Sequence, residues 1–179
     1  MTDTSIFSTE PSSKIDKNLK STEGSHSEGS HKEGSNGQEI SVEEKEKRMG
    51  IFHYNEGNKS FKKGQFAEAI INYKKALHHN KNFKEATINL STAYMKNSNF
   101  DEALATLNKG MTLDPENPHI FYNYACYFSL TGKPEASLEK LKAAIQFGFD
   151  KFKQIETDPD LENLRKSPGF KRWALASNT

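Results

Sequence analysis

Small and apolar residues recur along this chain at a fixed interval of 34 residues. Gly57, Ser91 and Ala125 share one column of this lattice. Other columns hold small residues (Ala69, Ala103, Ser137; Ala76, Gly110, Ala144) or large apolar ones (Ile70, Leu104, Leu138; Tyr73, Leu107, Leu141; Leu77, Met111, Ile145). A fixed period near this length is typical of stacked helical hairpins. Because one hairpin cannot bury its own apolar face, neighbouring hairpins must share a core. The pattern predicts an all-α solenoid.

Within each repeat, the apolar positions follow helical spacing and predict two helices joined by a short turn. The predicted helices cover about Val42–Lys63, Phe66–His79, Lys84–Lys96, Phe100–Leu113, His119–Leu130 and Pro134–Phe147. Ser41 and Glu44 fit a capping box, in which each side chain binds the backbone N–H of the other residue. The small columns are expected where helices cross closely, since larger side chains would push the backbones apart.

Composition divides the chain into three predicted regions. Residues 1–40 are rich in Ser, Gly and Glu and carry few apolar side chains, so a disordered tail is expected. Residues 41–148 hold the hairpins, with repeats at about 50–83, 84–117 and 118–151. Residues 149–179 mix aromatic and aliphatic side chains with charges, as expected of a capping segment. In that segment Asp158 or Asp160 is expected to cap a short helix, and Ser167-Pro168 to begin another.

Charge and cysteine content narrow the function classes. The formal net charge of +1 argues against a dedicated nucleic-acid binder, which normally carries a basic stripe. Cys126 is the single cysteine, so an intramolecular disulfide is excluded and a reducing compartment fits. The sequence shows neither a signal-peptide pattern nor an apolar run long enough to cross a bilayer. We therefore expect a cytoplasmic protein without a membrane span.

Specific motifs strengthen the repeat assignment. The first unit shows Gly64-x-Phe66-x-Glu68-Ala69 and Tyr73-x-x-Ala76, the second Phe100-x-Glu102-Ala103 and Asp114-Pro115, and the third Tyr124-Ala125, Gly132 and Ala144. These units resemble tetratricopeptide repeats. The third departs most, with Pro134 in place of the aromatic residue and Ser137 in place of alanine. The stretch from Asp158 to Phe170 looks like a tail that often finishes such arrays. The resemblance implies a right-handed superhelix whose first helices line a concave groove for peptides or helices.

If that geometry holds, the groove is lined by polar, apolar and aromatic side chains from the first helix of each hairpin. The candidate partner-binding residues are Tyr54, Asn58, Phe61, Ile88, Asn89, Thr92, Met95, His119, Tyr122, Asn123 and Cys126, and the same lining includes Ile51, Lys62 and Lys96. An exposed apolar stripe often marks a partner surface. The competing explanation is that a cap helix or another copy of the chain covers the groove.

One known activity of these repeats, binding the C-terminal carboxylate of Hsp70 or Hsp90, is not expected here. Asn58 and Asn89 occupy the positions of the two asparagines that the resemblance implies for this carboxylate clamp. The three cationic positions carry Tyr54, His119 and Asn123 instead. These side chains do not replace the charge-assisted hydrogen bonds of Lys and Arg.

Enzymatic chemistry is not expected either. Cys126 and His119 lie seven residues apart, so on one helix about 10 Å separates them, too far for a nucleophile and its base. His78 and His79 are adjacent and lack the i, i+4 spacing of helical metal sites. We predict no cofactor or metal, and a non-catalytic adaptor that binds a peptide or helix of a partner protein. Two alternatives stay open: a chaperone-like protein that shields an apolar client, and an assembly subunit whose groove closes by oligomerisation.

Overall fold

The computed structural model describes residues 40–177, and in this range it contains nine α-helices, one short 3₁₀ turn and no β-strand. The elements are α1 (Val42–Lys62), α2 (Phe66–His79), α3 (Lys84–Lys96), α4 (Phe100–Leu113), α5 (Pro118–Leu130), α6 (Pro134–Gln146), α7 (Phe152–Thr157), the 3₁₀ turn (Pro159–Leu161), α8 (Glu162–Lys166) and α9 (Pro168–Ser177). The tail predicted for residues 1–40 lies, apart from Ile40, outside the described residues. None of the described helices combines the length and apolar character needed to cross a bilayer.

Three antiparallel hairpins, α1–α2, α3–α4 and α5–α6, stack side by side. Their turns repeat the same backbone geometry, with positive φ angles of 74° at Gly64, 60° at Ser98 and 72° at Gly132. Left-handed backbone of this kind favours glycine because a Cβ atom crowds the following carbonyl. The 34-residue period therefore extends to the turn conformation, although the second turn carries serine.

Helix α1 begins as the sequence predicts, but only one half of the predicted capping box forms. The Ser41 hydroxyl oxygen accepts a hydrogen bond from the Glu44 backbone N–H at 3.2 Å. The Glu44 carboxylate does not complete the box and instead accepts from Arg48 Nε at 2.9 Å. An i, i+4 ion pair along an exposed helix face competes with the backward turn that the box requires.

The small columns lie where helices cross, and the tightest crossing joins α1 to α2. A Cβ atom placed on Gly57 would lie 2.6 Å from two ring carbons of Tyr73. The Tyr73 ring is fully buried, and its hydroxyl donates to Asn58 Oδ1 at 2.7 Å. In the third hairpin, the Ser137 hydroxyl donates to the carbonyl of Ala125 at 2.6 Å. Small residues thus allow both close packing and short hydrogen bonds between paired helices.

The buried apolar residues form two clusters that share contacts with Tyr94. The first joins α1, α2 and α3 and contains Tyr54, Phe61, Ala69, Tyr73, Ala76, Ala86, Leu90 and Ala93. The second extends from α3 to α8, and the C-terminal part of the chain contributes Phe149, Ile155, Leu161 and Leu164 to it. The chain beyond α6 is therefore part of the core of the last two hairpins.

The opposite end of the stack has a different surface. Val42, Met49 and Phe52 on α1 are 75%, 43% and 42% exposed. Their spacing of seven and three residues puts them along one side of α1, next to the face through which Gly57 contacts α2. This outer side of α1 carries apolar side chains without a covering helix among the described residues.

Candidate protein-binding surface

The eleven predicted groove residues lie on α1, α3 and α5, the first helices of the three hairpins. Nine of them are buried: Tyr54, Phe61, Ile88, Asn89, Thr92, Met95, Tyr122, Asn123 and Cys126. Asn58 and His119 are half-buried. Whether these residues form a partner site stays a prediction, and their burial has two different physical origins.

On α1 and α3, polar side chains are engaged with one another. Asn58 Oδ1 accepts hydrogen bonds from Tyr73 Oη at 2.7 Å and from Asn89 Nδ2 at 3.0 Å. Asn89 Nδ2 also donates to Tyr54 Oη at 3.2 Å, and the Tyr54 ring lies 4.9 Å from that of Phe83. Burial raises the pKa of Tyr73, so its hydroxyl keeps the proton that it donates. This network joins the first hairpin to the second.

Asn123 joins the second hairpin to the third in the same way. Its Nδ2 lies 3.3 Å from Ile88 O, 3.1 Å from Ser91 Oγ and 3.0 Å from Thr92 Oγ1. The amide groups of Asn89 and Asn123 therefore donate to neighbouring helices. The absence of carboxylate-clamp activity stays a prediction, and these contacts are consistent with it.

On α5, the chain covers its own inner face. Residues 149–166, which we name the closing segment, run across α5 after the last hairpin. The Phe149 ring stacks on the Tyr122 ring with centroids 4.3 Å apart. Further along, Asn163 Nδ2 donates to Ser129 O at 3.0 Å, and Leu164 N donates to Ser129 Oγ at 3.2 Å. At α5 the structure therefore shows coverage by the chain's own C-terminal segment. The sequence raised this coverage as the competing explanation to partner binding.

A buried charged cluster fixes the middle of the closing segment. Lys96 Nζ on α3 lies 2.7 Å from Asp160 Oδ1, and the two side chains are only 16% and 10% exposed. Tyr122 Oη donates to Asp158 Oδ2 at 2.7 Å. Asp158 Oδ1 accepts from the Asp160 backbone N–H at 3.0 Å, which confirms the predicted cap. Burial raises the pKa of the Asp160 carboxyl, and the Lys96 ammonium partly opposes this rise.

Cys126 completes the cluster but keeps its proton. Its Sγ lies 4.0 Å from Asp158 Oδ2, and burial together with the carboxylates of Asp158 and Asp160 raises the pKa of the thiol. The ligand atoms of these three residues lie within 4.8 Å of one another. A metal ion there would have to displace the Lys96 ammonium and deprotonate the thiol. The geometry therefore fits an anchor for the closing segment better than a metal centre.

The inner face of α1 is less covered than that of α5. Ile51 and Asn58 are half-buried, and Asn55 and Lys62 are exposed. Lys62 lies 34 residues before Lys96, so the repeat places both ammonium groups in one column. Because Lys96 contacts the closing segment, Lys62 marks the equivalent position one hairpin earlier, where no described segment lies on it.

Comparison with known proteins agrees with this architecture. A family model described as Tetratricopeptide repeat matches residues 60–125. The first TPR of Spaghetti (RPAP3) bound to the HSP90 peptide SRMEEVD is 16% identical, with a TM-score of 0.56 over 74% of this chain and 96% of that chain. Part of the chain, residues 60–125, thus matches the tetratricopeptide repeat (TPR) family, and the described residues share the fold of solved TPR domains. The TPR domain of Arabidopsis OM64 is also similar, at 17% identity and a TM-score of 0.58 over 68% of this chain and 98% of that chain.

A third similar solved structure, the Yersinia enterocolitica type III secretion translocator chaperone SycD in its alternative dimer, has a TM-score of 0.55. It is 14% identical over 74% of this chain and 96% of that chain. Among curated proteins, a chloroplastic protein of Arabidopsis thaliana is 47% identical over 49 residues. Those residues are 27% of this chain and 15% of that relative's length. The predicted right-handed all-α TPR solenoid is confirmed, and the comparisons with solved structures bear on the fold alone.

Proposed function

We propose that this protein is a non-catalytic module that holds a segment of another protein along the inner face of its first helices. The observation that supports the proposal is that the closing segment already lies on this face. Phe149, Asp158 and Asp160 lie on side chains of α3 and α5, so the inner face has the chemistry to hold a chain segment. Solved TPR structures described as complexes with an HSP90 peptide and with pHsp70 support the same use of the fold.

The uncovered part of this face, on α1, is the proposed first point of contact. Asn55, Asn58 and Lys62 offer amide groups and one ammonium to a polar or acidic segment. These groups differ from a carboxylate clamp, because Tyr54, His119 and Asn123 stand where that clamp requires cations. We therefore propose a partner segment with an acidic side chain opposite Lys62, held with modest affinity since exposed ion pairs contribute at most about 1 kcal/mol.

A charge reversal on the inner face tests the proposal. Proteins captured by the full chain are quantified for the wild type, for Lys62→Glu and for the matched control Lys74→Glu, which reverses an exposed lysine on α2. We expect Lys62→Glu to lose bound partners that Lys74→Glu retains, with circular dichroism unchanged in both. Retention of every partner by Lys62→Glu would overturn the assignment of the inner face.

A further inference from the structure

The structure assigns the closing segment a second role: it is a displaceable occupant of the inner face of α3 and α5. We propose that an acidic segment of a partner protein replaces it by placing its own carboxylate on Lys96. The inference rests on the proposed function, because it specifies how the same surface is regulated. In the resting chain, the contacts of Asp158 and Asp160 keep this part of the surface closed.

The closing segment owes its structure to docking on the hairpins, although it also contributes side chains to their core. Gly148 precedes it with a φ angle of +101° and open space where a Cβ atom would lie, and the backbone freedom of glycine allows the chain to change direction there. Helix α7, the 3₁₀ turn and α8 have six, three and five residues. Helices this short are unstable in isolation, because forming the first turn is unfavourable. Their structure depends on docking. Lifting them withdraws Phe149, Ile155, Leu161 and Leu164 from the core, while α1–α6 keep their contacts with one another.

The charged cluster determines what kind of segment can take the site. Lys96 is well buried beneath the closing segment, and a buried ammonium without a partner is strongly unfavourable. Any replacement segment must therefore bring a carboxylate to Lys96. A second acceptor is required for the Tyr122 hydroxyl, which now donates to Asp158. An aromatic side chain that stacks on Tyr122 as Phe149 does would complete the match.

Cys126 gives a direct measurement of opening. It is the only cysteine of the chain, it is 2% exposed, and it lies beneath Asp158. A thiol reagent can reach its sulfur only when the closing segment lifts or the protein unfolds. The two routes are separable, because global unfolding accelerates steeply with urea and local opening does not.

The first experiment compares thiol labelling of full-length wild type, Lys96→Met and the control Lys109→Met, which alters an exposed lysine on α4. Removing one partner of a buried ion pair leaves the other charge uncompensated, so Lys96→Met should label at least about tenfold faster in the absence of urea. Lys109→Met should label like the wild type. Adding Asp160→Leu to Lys96→Met removes the stranded carboxylate and should restore slow labelling. Equal labelling of Lys96→Met and wild type would overturn the proposal.

Native-state hydrogen exchange tests the same opening in the wild type. We expect amides of α7 and α8 to exchange at least about tenfold faster than those of α3 and α5, by a step that urea accelerates less than it accelerates global unfolding. Exchange of all four helices through a single global step would overturn the proposal, even if a substituted chain failed to fold.

The second experiment supplies the displacing segment as a synthetic peptide with the sequence of residues 149–166. It is added to full-length Asp160→Ala, whose own closing segment has lost the contact with Lys96. We expect this peptide to bind and to slow Cys126 labelling, and a peptide with Asp158→Asn and Asp160→Asn to bind at least about tenfold more weakly. Equal binding of the two peptides, or no binding, would refute displacement. Loss of partners in Lys62→Glu is measured separately, so either proposal can fail alone.

Discussion

The packing of Gly57 against Tyr73 leads to the sharpest prediction about stability. Gly57 and Gly50 both lie on buried positions of α1, and replacing either with alanine favours the helix by up to about 1 kcal/mol. At Gly50 a new Cβ would make ordinary contacts of 3.5 to 3.7 Å. At Gly57 the new Cβ would lie 2.6 Å from the Tyr73 ring, which is fully buried and cannot move freely.

The expected changes in the free energy of unfolding have opposite signs for these two substitutions. Overpacking of a core typically costs about 1 to 3 kcal/mol. A displaced Tyr73 ring would also weaken its 2.7 Å hydrogen bond to Asn58, which contributes about 1 kcal/mol. After the gain in helix propensity, Gly57→Ala should destabilise the protein by about 1 to 3 kcal/mol. Gly50→Ala should stabilise it by about 0.5 to 1 kcal/mol.

Urea unfolding followed by circular dichroism measures both free energies. The other repeats supply a compensating variant, because Ser91 is followed sixteen residues later by Leu107 where Gly57 is followed by Tyr73. Gly57→Ala combined with Tyr73→Leu should therefore be more stable than the sum of the single effects. If Gly57→Ala unfolds at the same urea concentration as Gly50→Ala, or the double variant shows no coupling, the packing argument is wrong.

Three further predictions concern other parts of the fold. Ser98→Gly should raise the free energy of unfolding by up to about 1 kcal/mol in urea titrations, because Ser98 has a φ angle of 60°. Leu107→Ala should lower the thermal midpoint through a loss of about 2 to 5 kcal/mol, since Leu107 is almost fully buried. Burial lowers the pKa of His119 and His53 from 6.5, so the unfolded chain binds their protons more tightly. The free energy of unfolding should therefore fall as the pH drops below about 6.5, and it should fall less in His119→Gln. Urea titrations at pH 7.5 and 5.5 measure this difference.

The sequence was sufficient for the helices because their determinants are local. Apolar spacing, the turn glycines and Pro134 define helix ends within a few neighbouring residues, and the observed bounds differ from the predicted ones by one residue at most. The capping box shows the limit of this reasoning. Ser41 and Glu44 have the right spacing, but the choice of Glu44 between Ser41 and Arg48 depends on side-chain competition along an exposed face.

The candidate surface was harder to predict, because a helical pattern identifies an apolar side without saying what covers it. Tyr54 and Tyr122 occupy equivalent positions, yet Tyr54 packs against Phe83 of the next hairpin and Tyr122 against Phe149 of the closing segment. Lys96 and Asp160 are 64 residues apart in the chain, and no local signal links them. Their contact requires the chain to return over α3 and α5 after the third hairpin, a path set by tertiary packing.

The apolar side chains on the outer side of α1 make the two ends of the array unequal as sites for adding a hairpin by protein engineering. A hairpin fused ahead of Ile40 would meet Val42, Met49 and Phe52 and could bury them in a new interface. A hairpin fused after Gln146 would have to compete with Phe149 and Leu164 for the same neighbours. Lengthening this solenoid by design should therefore succeed by growth from its N-terminal end.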